Sequence, residues 1–218
     1  YDGENVIAVR VNRSGVKDVA RWYTGSGIYR HAWLQVTNPV HVATYGTYVT
    51  TPSVSEDKAE IRIMTTLENE LKKVQTVSIS HLILDNQGKI VAKSGTEKTL
   101  FEAGQSIKIT QNLTLNYPRL WTLEKPELYT LETTVKANGK VTDLYKTPFG
   151  IRTIAFDSEK GFLLNGKQVK LKGMCLHQDA GSLGTAVLDR SYERRLEIIK
   201  EYGCNAIRCS HNQPSPEF

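Results

Sequence analysis

Apolar and polar residues alternate with a period of two over most of residues 41–153. In the runs around Ile61 and Leu131, each apolar residue is followed by a charged or hydroxylated one. This period is typical of antiparallel strands that bury one face and expose the other to water. The turn-forming sequences between the runs are Asp85-Asn86-Gln87-Gly88 and Asn138-Gly139. The pattern predicts about seven short strands arranged as an immunoglobulin-like β-sandwich.

The pattern changes after Phe156. Asn165-Gly166 predicts a hairpin turn, and residues 171–177 read as a buried strand. A helix is predicted over residues 191–202, followed by a second strand over residues 206–209. The helix has Asp189 as its expected N-cap and Gly203 as the residue that ends it. A strand, a helix and a strand in this order are typical of a parallel sheet.

The first 39 residues give a weaker pattern. Strands are predicted at residues 5–11 and 32–37, and two strands are too few to form a domain. We therefore expect residues 1–39 to be the tail of a larger β-domain. The chain lacks both an initial Met and a secretory signal, which indicates a piece of a longer protein. Gly25 and Gly27 begin a pattern like a dinucleotide fingerprint, but Arg30 stands at the third Gly position, and no cofactor is predicted.

Composition excludes some classes of partner. The chain has 218 residues with a net charge of +5, and its basic residues are scattered rather than gathered in a stripe. Nucleic acid is therefore not an expected partner. No apolar stretch approaches the roughly 18 residues of a membrane span, so a membrane is not expected either.

The three cysteines cannot all pair within one chain, and we expect buried free thiols at Cys175, Cys204 and Cys209. The repeated spacing of Cys175 with His177 and of Cys209 with His211 offers zinc ligands. Each pair lies along a predicted strand rather than on a tight knuckle, so no metal site is predicted.

His177 and His211 each follow one of the two predicted parallel strands. The carboxyl ends of barrel strands form the catalytic face of α/β barrels. Asp179 comes two residues after the first His, and Arg208 comes three residues before the second. His and Asp can hydrogen-bond sugar hydroxyls, and Arg can bind a carboxylate through two donors. A single His at a strand end is more often structural, but two at equivalent positions favour a functional role.

Four segments of the chain together resemble glycoside hydrolase family 2, the family of β-galactosidases, β-glucuronidases and β-mannosidases. They are RWYTGSGIYR at 21–30, LWTLEKPELYTL at 120–131, FGIR at 149–152 with FLLNGK at 162–167 and LKGMCLHQD at 171–179, and GCNAIRCSH at 203–211. The resemblance implies a mainly β chain. Residues 1–39 would end a jelly-roll sugar-binding domain, residues 40–155 would form the immunoglobulin-like sandwich, and residues 156–218 would begin a truncated TIM barrel.

The resemblance also implies a reaction. Family members hydrolyse β-glycosides with retention, using two Glu on the fourth and seventh barrel strands, with carboxyl groups about 5–5.5 Å apart. Both are expected beyond Phe218, so no catalytic residue is predicted in this chain. The Asn69-Glu70 pair is not the acid/base, because it falls in a polar turn that we expect to be solvated. We expect the parent to hydrolyse terminal non-reducing β-D-galactosides and this fragment to be inactive.

Site roles follow from the matching positions. His177, Asp179 and His211 would bind the sugar, and Arg208 would orient the nucleophile carboxylate and keep it ionised. Two departures leave the sugar open: Asn212-Gln213-Pro214 replaces the usual Tyr-Pro, and Cys175 replaces an Asn. The alternatives are a β-glucuronidase or β-mannosidase parent and a non-catalytic carbohydrate-binding piece.

The expected partner is a β-linked carbohydrate, with a homo-oligomer left open. A periplasmic or extracellular location is the expectation, although no residue of the chain establishes it.

Overall fold

The computed structural model describes residues 3–12, 14, 27–95, 98–211 and 213–218. The chain divides into two compact units, residues 35–170 and residues 1–34 with 171–218. It is 47% strand and 8% helix, which confirms the mainly β class. Within the described residues, no helix is both long and apolar enough to cross a lipid bilayer.

The larger unit contains a sandwich of two antiparallel sheets. Its strands are β1 (Val40–Val54), β2 (Lys58–Asn69), β3 (Gln75–Leu84), β4 (Ile90–Gly95), β5 (Thr99–Phe101), β6 (Ser106–Asn116), β7 (Tyr129–Ala137) and β8 (Lys140–Phe149). One sheet has the order β1-β2-β6, and the other has the order β4-β3-β7-β8 with β5 paired to β3. The alternating runs around Ile61 and Leu131 lie in β2 and β7, as predicted, and the described part of the sandwich has eight strands where about seven were expected.

Alternate residues of the two sheets meet in the core. Ile61 of β2 packs with Ile83 of β3 and Leu131 of β7 in one apolar cluster. Leu67 and Phe101 belong to a second cluster, and all five side chains are at most 1% exposed. Burying one such side chain stabilises the fold by about 1.5–3 kcal/mol, so these clusters hold the sheets together.

The predicted turns are present. Asn138 and Gly139 join β7 to β8 with φ angles of 50° and 82°, as the tight hairpin turn requires. The Asp85 carboxylate accepts hydrogen bonds from the backbone amides of Gln87 and Lys89, both at 2.9 Å. These bonds lower the pKa of Asp85, the one from Lys89 most strongly.

Asn69 is buried, contrary to the sequence prediction. The predicted solvated turn at Asn69-Glu70 is wrong for Asn69, which is 1% exposed at the end of β2. Its Nδ2 donates to the backbone carbonyls of Lys73, Phe101 and Glu102 at 2.9–3.1 Å. A short amide is retained in the core because it satisfies buried carbonyl groups. Glu70 is exposed, as predicted.

A small antiparallel sheet follows the sandwich within the same unit. Its strands are β9 (Ile154–Asp157), β10 (Gly161–Leu164) and β11 (Lys167–Gln168), in the order β11-β10-β9. The hairpin turns at Asn165, as predicted. The Asn165 side chain donates to the backbone carbonyl of Trp121 and accepts from the amide of Thr153, both at 3.0 Å. The guanidinium of Arg152 stacks over the Trp121 ring at 4.5 Å. These bonds fasten the small sheet to the sandwich.

The smaller unit contains the predicted parallel pair. Its elements are β12 (Gly173–Leu176), a 3-10 turn at 181–183, α1 (Asp189–Glu201) and β13 (Ala206–Cys209). Strands β12 and β13 pair in parallel, and Gly203 follows the helix at a φ of 77°. The helix buries Tyr192 and Ile199. The prediction of a buried first strand is wrong, because β12 has one paired neighbour among the described residues and is mostly exposed.

The strands predicted at 5–11 and 32–37 are absent. Val6, Ile7 and Val36 are each more than three-quarters exposed in irregular segments. A β-branched run forms a strand only where a neighbouring strand accepts its hydrogen bonds, and no described residue does so here. The jelly-roll tail therefore stays a prediction. Trp22 and Gly25 lie outside the described residues.

Candidate functional site

The two histidines named from the sequence lie together. His177 directly follows β12, and His211 lies just beyond β13. The backbone amide of Ser210 donates to the carbonyl of Leu176 at 3.1 Å, which keeps the two strand ends paired up to the histidines. The ring centroids of His177 and His211 are 6.0 Å apart, with an interplanar angle of 80°. Two imidazoles are therefore presented at one edge of the parallel pair.

Local sequence explains the close approach of the strands. A Cβ on Gly173 would lie 2.8 Å from the carbonyl oxygen of Ala206, so only glycine fits there without a shift. One residue earlier, the amide of Lys172 donates to Asn205 Oδ1, and the amide of Asn205 donates to the Lys172 carbonyl, both at 2.8 Å. This reciprocal pair fixes the register in which the histidines meet.

Arg208 lies opposite Cys175 in the strand pairing. Its Nη1 donates to the Cys175 Sγ at 3.7 Å. This hydrogen bond, with a smaller contribution from Ser210, lowers the pKa of the Cys175 thiol. The cysteines are free, as predicted, but Cys175 and Cys209 are exposed rather than buried. The expected burial is wrong because no described strand beyond β12 and β13 covers them.

Asp179 lies in the loop that follows β12 and is half-buried. Among the described residues, its carboxylate has no hydrogen bond or ion pair. Burial is the main cause that raises the phenol pKa of Tyr192. The negative charge of Asp179 raises this pKa further, and the positive charge of Arg30 lowers it. Asp179 thus acts on Tyr192 of α1 through its charge rather than through a hydrogen bond.

A small cleft lies beside the histidine pair. His177, Tyr192, Cys209 and Phe218 are among its lining residues. The rings of Tyr192 and Phe218 meet edge to face, with centroids 4.9 Å apart. The cleft encloses about 10 Å³, which is room for about one water molecule and not for a sugar ring, so any sugar would contact the histidines from the open side.

Arg30 organises a polar network that sequence reasoning missed. Its Nη2 donates to Asp189 Oδ1, and to Glu217 Oε2 at 3.3 Å. His31 Nε2 lies 3.2 Å from the other oxygen of Asp189. The hydrogen bond from Arg30 lowers the pKa of Asp189 and raises that of Arg30 itself. Segment 21–30 was singled out in the sequence, but 159 positions separate Arg30 from its partner.

The predicted start of the helix is wrong, because α1 begins at Asp189 rather than at residue 191. Leu188, not Asp189, is the N-cap, and no side chain caps the helix. The Asp189 carboxylate binds Arg30 and His31 instead of the backbone amides of α1. In the pair with Arg30 both partners are ionised, whereas in a hydrogen bond from a backbone amide only the carboxylate is, and this favours the exchange.

The zinc arrangement considered from the sequence is not formed. No three of Cys175, His177, Cys209 and His211 bring their ligand atoms within 4.8 Å of one another. Groups that meet this distance in the described residues are His31 with Asp189 and Glu217, and His41 with Glu68 and Glu70. In the first, the guanidinium of Arg30 already binds both carboxylates.

Two family models match the chain. The model described as glycosyl hydrolases family 2 matches residues 40–152. The model for the TIM barrel domain of the same family matches residues 156–218. The two matches cover the sandwich and the β12–α1–β13 unit.

Similar proteins carry glycosidase names. A β-galactosidase of Bacteroides ovatus, BoGH2A, is 48% identical over the whole chain, which spans 25% of that protein. A protein of Formosa agariphila named a putative β-glucuronidase is 37% identical over 99% of the chain and 20% of its own length. The chain thus spans about a quarter or less of these curated relatives.

Solved structures show the same likeness. A glycosyl hydrolase family 2 member from Bacteroides cellulosilyticus is 42% identical, with a TM-score of 0.85 over 90% of this chain and 27% of that one. A β-glucuronidase from the same family is 33% identical, with a TM-score of 0.81 over 88% of this chain and 21% of that one.

Proposed function

The chain belongs to glycosyl hydrolase family 2, and we propose that it is the central part of a retaining β-glycosidase that removes terminal β-D-galactosyl residues. The sugar is inferred from BoGH2A, the β-galactosidase that is 48% identical over the whole chain. The site is inferred from the chain's own geometry. The two inferences are independent and are tested separately.

The observation that carries the proposal is the pairing of His177 with His211. Their rings lie 6.0 Å apart at the carboxyl ends of two parallel strands, the edge at which α/β barrels bind substrates. In the proposed enzyme, each imidazole hydrogen-bonds a hydroxyl of the terminal sugar. A bond that strengthens as the ring distorts would lower the activation barrier rather than only tighten binding.

Arg208 and Asp179 have supporting roles in the proposal. Arg208 would donate to the nucleophile carboxylate and hold it ionised, because a nearby positive charge lowers a carboxyl pKa. Its contact with Cys175 uses one of the five N–H donors of a guanidinium, which leaves the group suited to a second partner. Asp179 would accept a hydrogen bond from a sugar hydroxyl.

The 218-residue chain is not expected to turn over substrate. Retaining hydrolysis needs two carboxyl groups about 5–5.5 Å apart across the scissile bond. Family resemblance assigns them to the fourth and seventh barrel strands, whereas the described residues of this chain form two parallel strands, β12 and β13. Hydrolysis by a verified, contamination-free preparation of this chain would refute this expectation.

The experiment is a substrate panel on the longer protein that contains this chain. p-Nitrophenyl β-D-galactoside, β-D-glucuronide and β-D-mannoside are compared by kcat/KM at equal enzyme concentration. A clear preference for the galactoside supports the proposal. Preference for another of the three retains the glycosidase and rejects the sugar. Absence of hydrolysis of all three rejects the catalytic proposal in favour of a carbohydrate-binding role.

A β-glucuronidase is the second candidate. Relatives 37% and 32% identical over 99% of the chain carry that name. A glucuronide differs from a galactoside in its configuration at C4 and in carrying a C6 carboxylate instead of a hydroxymethyl group, and the carboxylate needs a cationic partner. Glucuronide preference that weakens with rising salt would favour this candidate, whereas an uncharged galactoside should be nearly insensitive to salt.

A further inference from the structure

One short segment near the candidate site contacts the polypeptide that follows each of the two histidines. The Tyr29 hydroxyl donates to Gln178 Oε1 at 3.4 Å. Nη2 of Arg30 donates to Ser215 Oγ and to Glu217 Oε2, both at 3.3 Å. Gln178 directly follows the first histidine, and Ser215 comes four residues after the second. Two neighbouring residues from early in the chain thus connect the two loops that flank the site.

Residues 213–218 depend on Arg30 for their position. They form no helix or strand, and among the described residues no backbone–backbone hydrogen bond joins them to another segment. Their hydrogen bonds to other described segments come from Arg30. The Phe218 ring packs on Tyr192 and lines, with His177, the small cleft beside the histidine pair. A displacement of residues 213–218 would therefore change the surroundings of both histidines.

Arg30 is itself fixed by several contacts. Its side chain is 14% exposed, and its guanidinium lies 5.5 Å from the centroid of the Tyr192 ring, within the range of a cation–π interaction. It also donates to Asp189, the first residue of α1, so it links the helix to residues 213–218. One carboxylate oxygen of Asp189 and one of Glu217 lie within 4.8 Å of each other. Without the guanidinium these two negative charges would repel each other.

We propose that Arg30 is a positioning residue that holds His211 against His177 by anchoring residues 213–218 to α1. Arg30 does not contact the sugar in this proposal, because it acts through the anchored segment. A displacement of about 1 Å in a group that contacts the transition state can lower the rate by about 100-fold, so this anchor should affect turnover. The kinetic consequence rests on the proposed glycosidase function, whereas the positioning itself is measurable in the 218-residue chain.

The first experiment measures kcat and KM of the longer protein for p-nitrophenyl β-D-galactoside. Arg30→Met keeps the unbranched stem of the side chain and removes its charge and its donors. It should lower kcat/KM by about tenfold or more, mainly through kcat, because the proposed imidazole hydrogen bonds strengthen in the transition state. Arg30→Lys keeps the charge and should recover part of this loss. Arg190→Met is the matched control and should have no effect, since Arg190 pairs with Glu197 at 2.8 Å on the exposed face of α1.

A milder variant tests the path of the effect. Glu217→Gln removes one acceptor charge and leaves Arg30 paired with Asp189, so it should lower kcat by a smaller factor. If Arg30 acts through Glu217, the double variant Arg30→Met/Glu217→Gln should lose no more than Arg30→Met alone. A loss equal to the product of the two single effects would overturn the proposal. Where Arg30→Met does not fold, an unchanged kcat of Glu217→Gln would overturn it.

The second experiment needs no activity. In the histidine-labelled 218-residue chain, the nuclear Overhauser effect between the ring protons of His177 and His211 reports their contact, since the ring centroids lie 6.0 Å apart. Arg30→Met should lose this cross-peak, and the control variant should keep it. The signals of His41 and His81, which lie in strands of the sandwich, should stay unchanged in both variants and so show an intact sandwich.

The outcomes decide the proposal. A folded Arg30→Met variant that keeps either the histidine contact or the wild-type kcat would overturn it, as would a loss confined to KM. An equal loss in Arg190→Met would show a general effect of surface charge and would also overturn it. If the longer protein hydrolyses none of the three glycosides, the proposed function fails, and the histidine contact alone then supports or overturns the positioning role.

Discussion

His81 is a titratable side chain in the core of the sandwich, and it should make folding stability depend on pH. It is 1% exposed, and its Nδ1 lies 3.0 Å from Thr133 Oγ1. Burial lowers the pKa of His81 from 6.5 to about 4, because the charged ring loses its contact with water. The unfolded chain therefore binds a proton that the folded chain excludes, and acid favours unfolding.

The magnitude follows from the two pKa values. With a pKa of 6.5 in the unfolded chain and about 4 in the folded chain, proton binding to His81 lowers the free energy of unfolding by about 0.2 kcal/mol at pH 7. At pH 5 proton binding to His81 lowers the free energy of unfolding by about 2 kcal/mol, and well below pH 4 the lowering approaches about 3.4 kcal/mol. The stability that His81 contributes is thus complete above its unfolded pKa and is lost as the pH falls.

Urea unfolding at pH 7 and pH 5, followed by tryptophan fluorescence, measures this loss. His81→Asn removes the titration while keeping an amide near Thr133. We expect the wild-type chain to lose about 1.8 kcal/mol more than this variant between the two pH values. Thr133→Val is the matched control, since it removes the hydroxyl, keeps the imidazole and should retain the pH dependence.

Between pH 7 and pH 5 the loss of stability due to His81 can also be distinguished from the loss due to the carboxylates. Backbone hydrogen bonds lower the pKa values of Asp85 and Asp157, so the stability they contribute is lost only at more acid pH. If the wild-type chain and His81→Asn lose equal stability between pH 7 and pH 5, the assignment of the linkage to His81 is refuted.

Three further perturbations test the fold and the strand pair. Asn69→Ala should lower the free energy of unfolding by about 3 kcal/mol, at about 1 kcal/mol for each of its three donated hydrogen bonds, and a loss below about 1 kcal/mol in urea unfolding would contradict this. Gly173→Ala places a Cβ 2.8 Å from a carbonyl oxygen of β13 and should reduce the hydrogen-exchange protection of β12 and β13, whereas Gly95→Ala, with nothing within 4 Å, should leave it unchanged. Arg208→Gln should raise the pKa of the Cys175 thiol, so that the pH profile of its alkylation by iodoacetamide, measured without the other two cysteines, moves to higher pH; an unmoved profile would refute the role of Arg208.

The sandwich was predictable because period-two patterning directly reflects burial. Ile61 and Leu131 lie in the core where the alternation places them, and the Asn138 turn closes its hairpin. The same reasoning fails where burial depends on distant residues. Val6 and Val36 have the β-branched character of strand residues but lack a described partner strand, and both are exposed. Asn69 is polar, and its sequence position predicts exposure, yet its amide is buried because it donates hydrogen bonds to backbone carbonyl groups of other segments.

The candidate site was predictable to a similar extent. Parallel strands end at a common edge, so sequence order alone predicts that His177 and His211 lie near each other. The exchange of partners at Asp189 was not predictable, because its choice of Arg30 over the helix amides depends on tertiary contacts. The exposure of Cys175 likewise depends on which strands flank β12, which local pattern does not reveal.

The most direct test of the central claim is the kcat/KM of the longer protein for p-nitrophenyl β-D-galactoside after His177→Ala and, separately, His211→Ala. If the paired imidazoles stabilise the transition state of galactoside hydrolysis, each variant should lose about 100-fold or more in kcat/KM while keeping the wild-type circular dichroism spectrum and melting temperature. Two folded variants with kcat/KM near the wild-type value would contradict the assignment of this strand edge as the sugar-binding site.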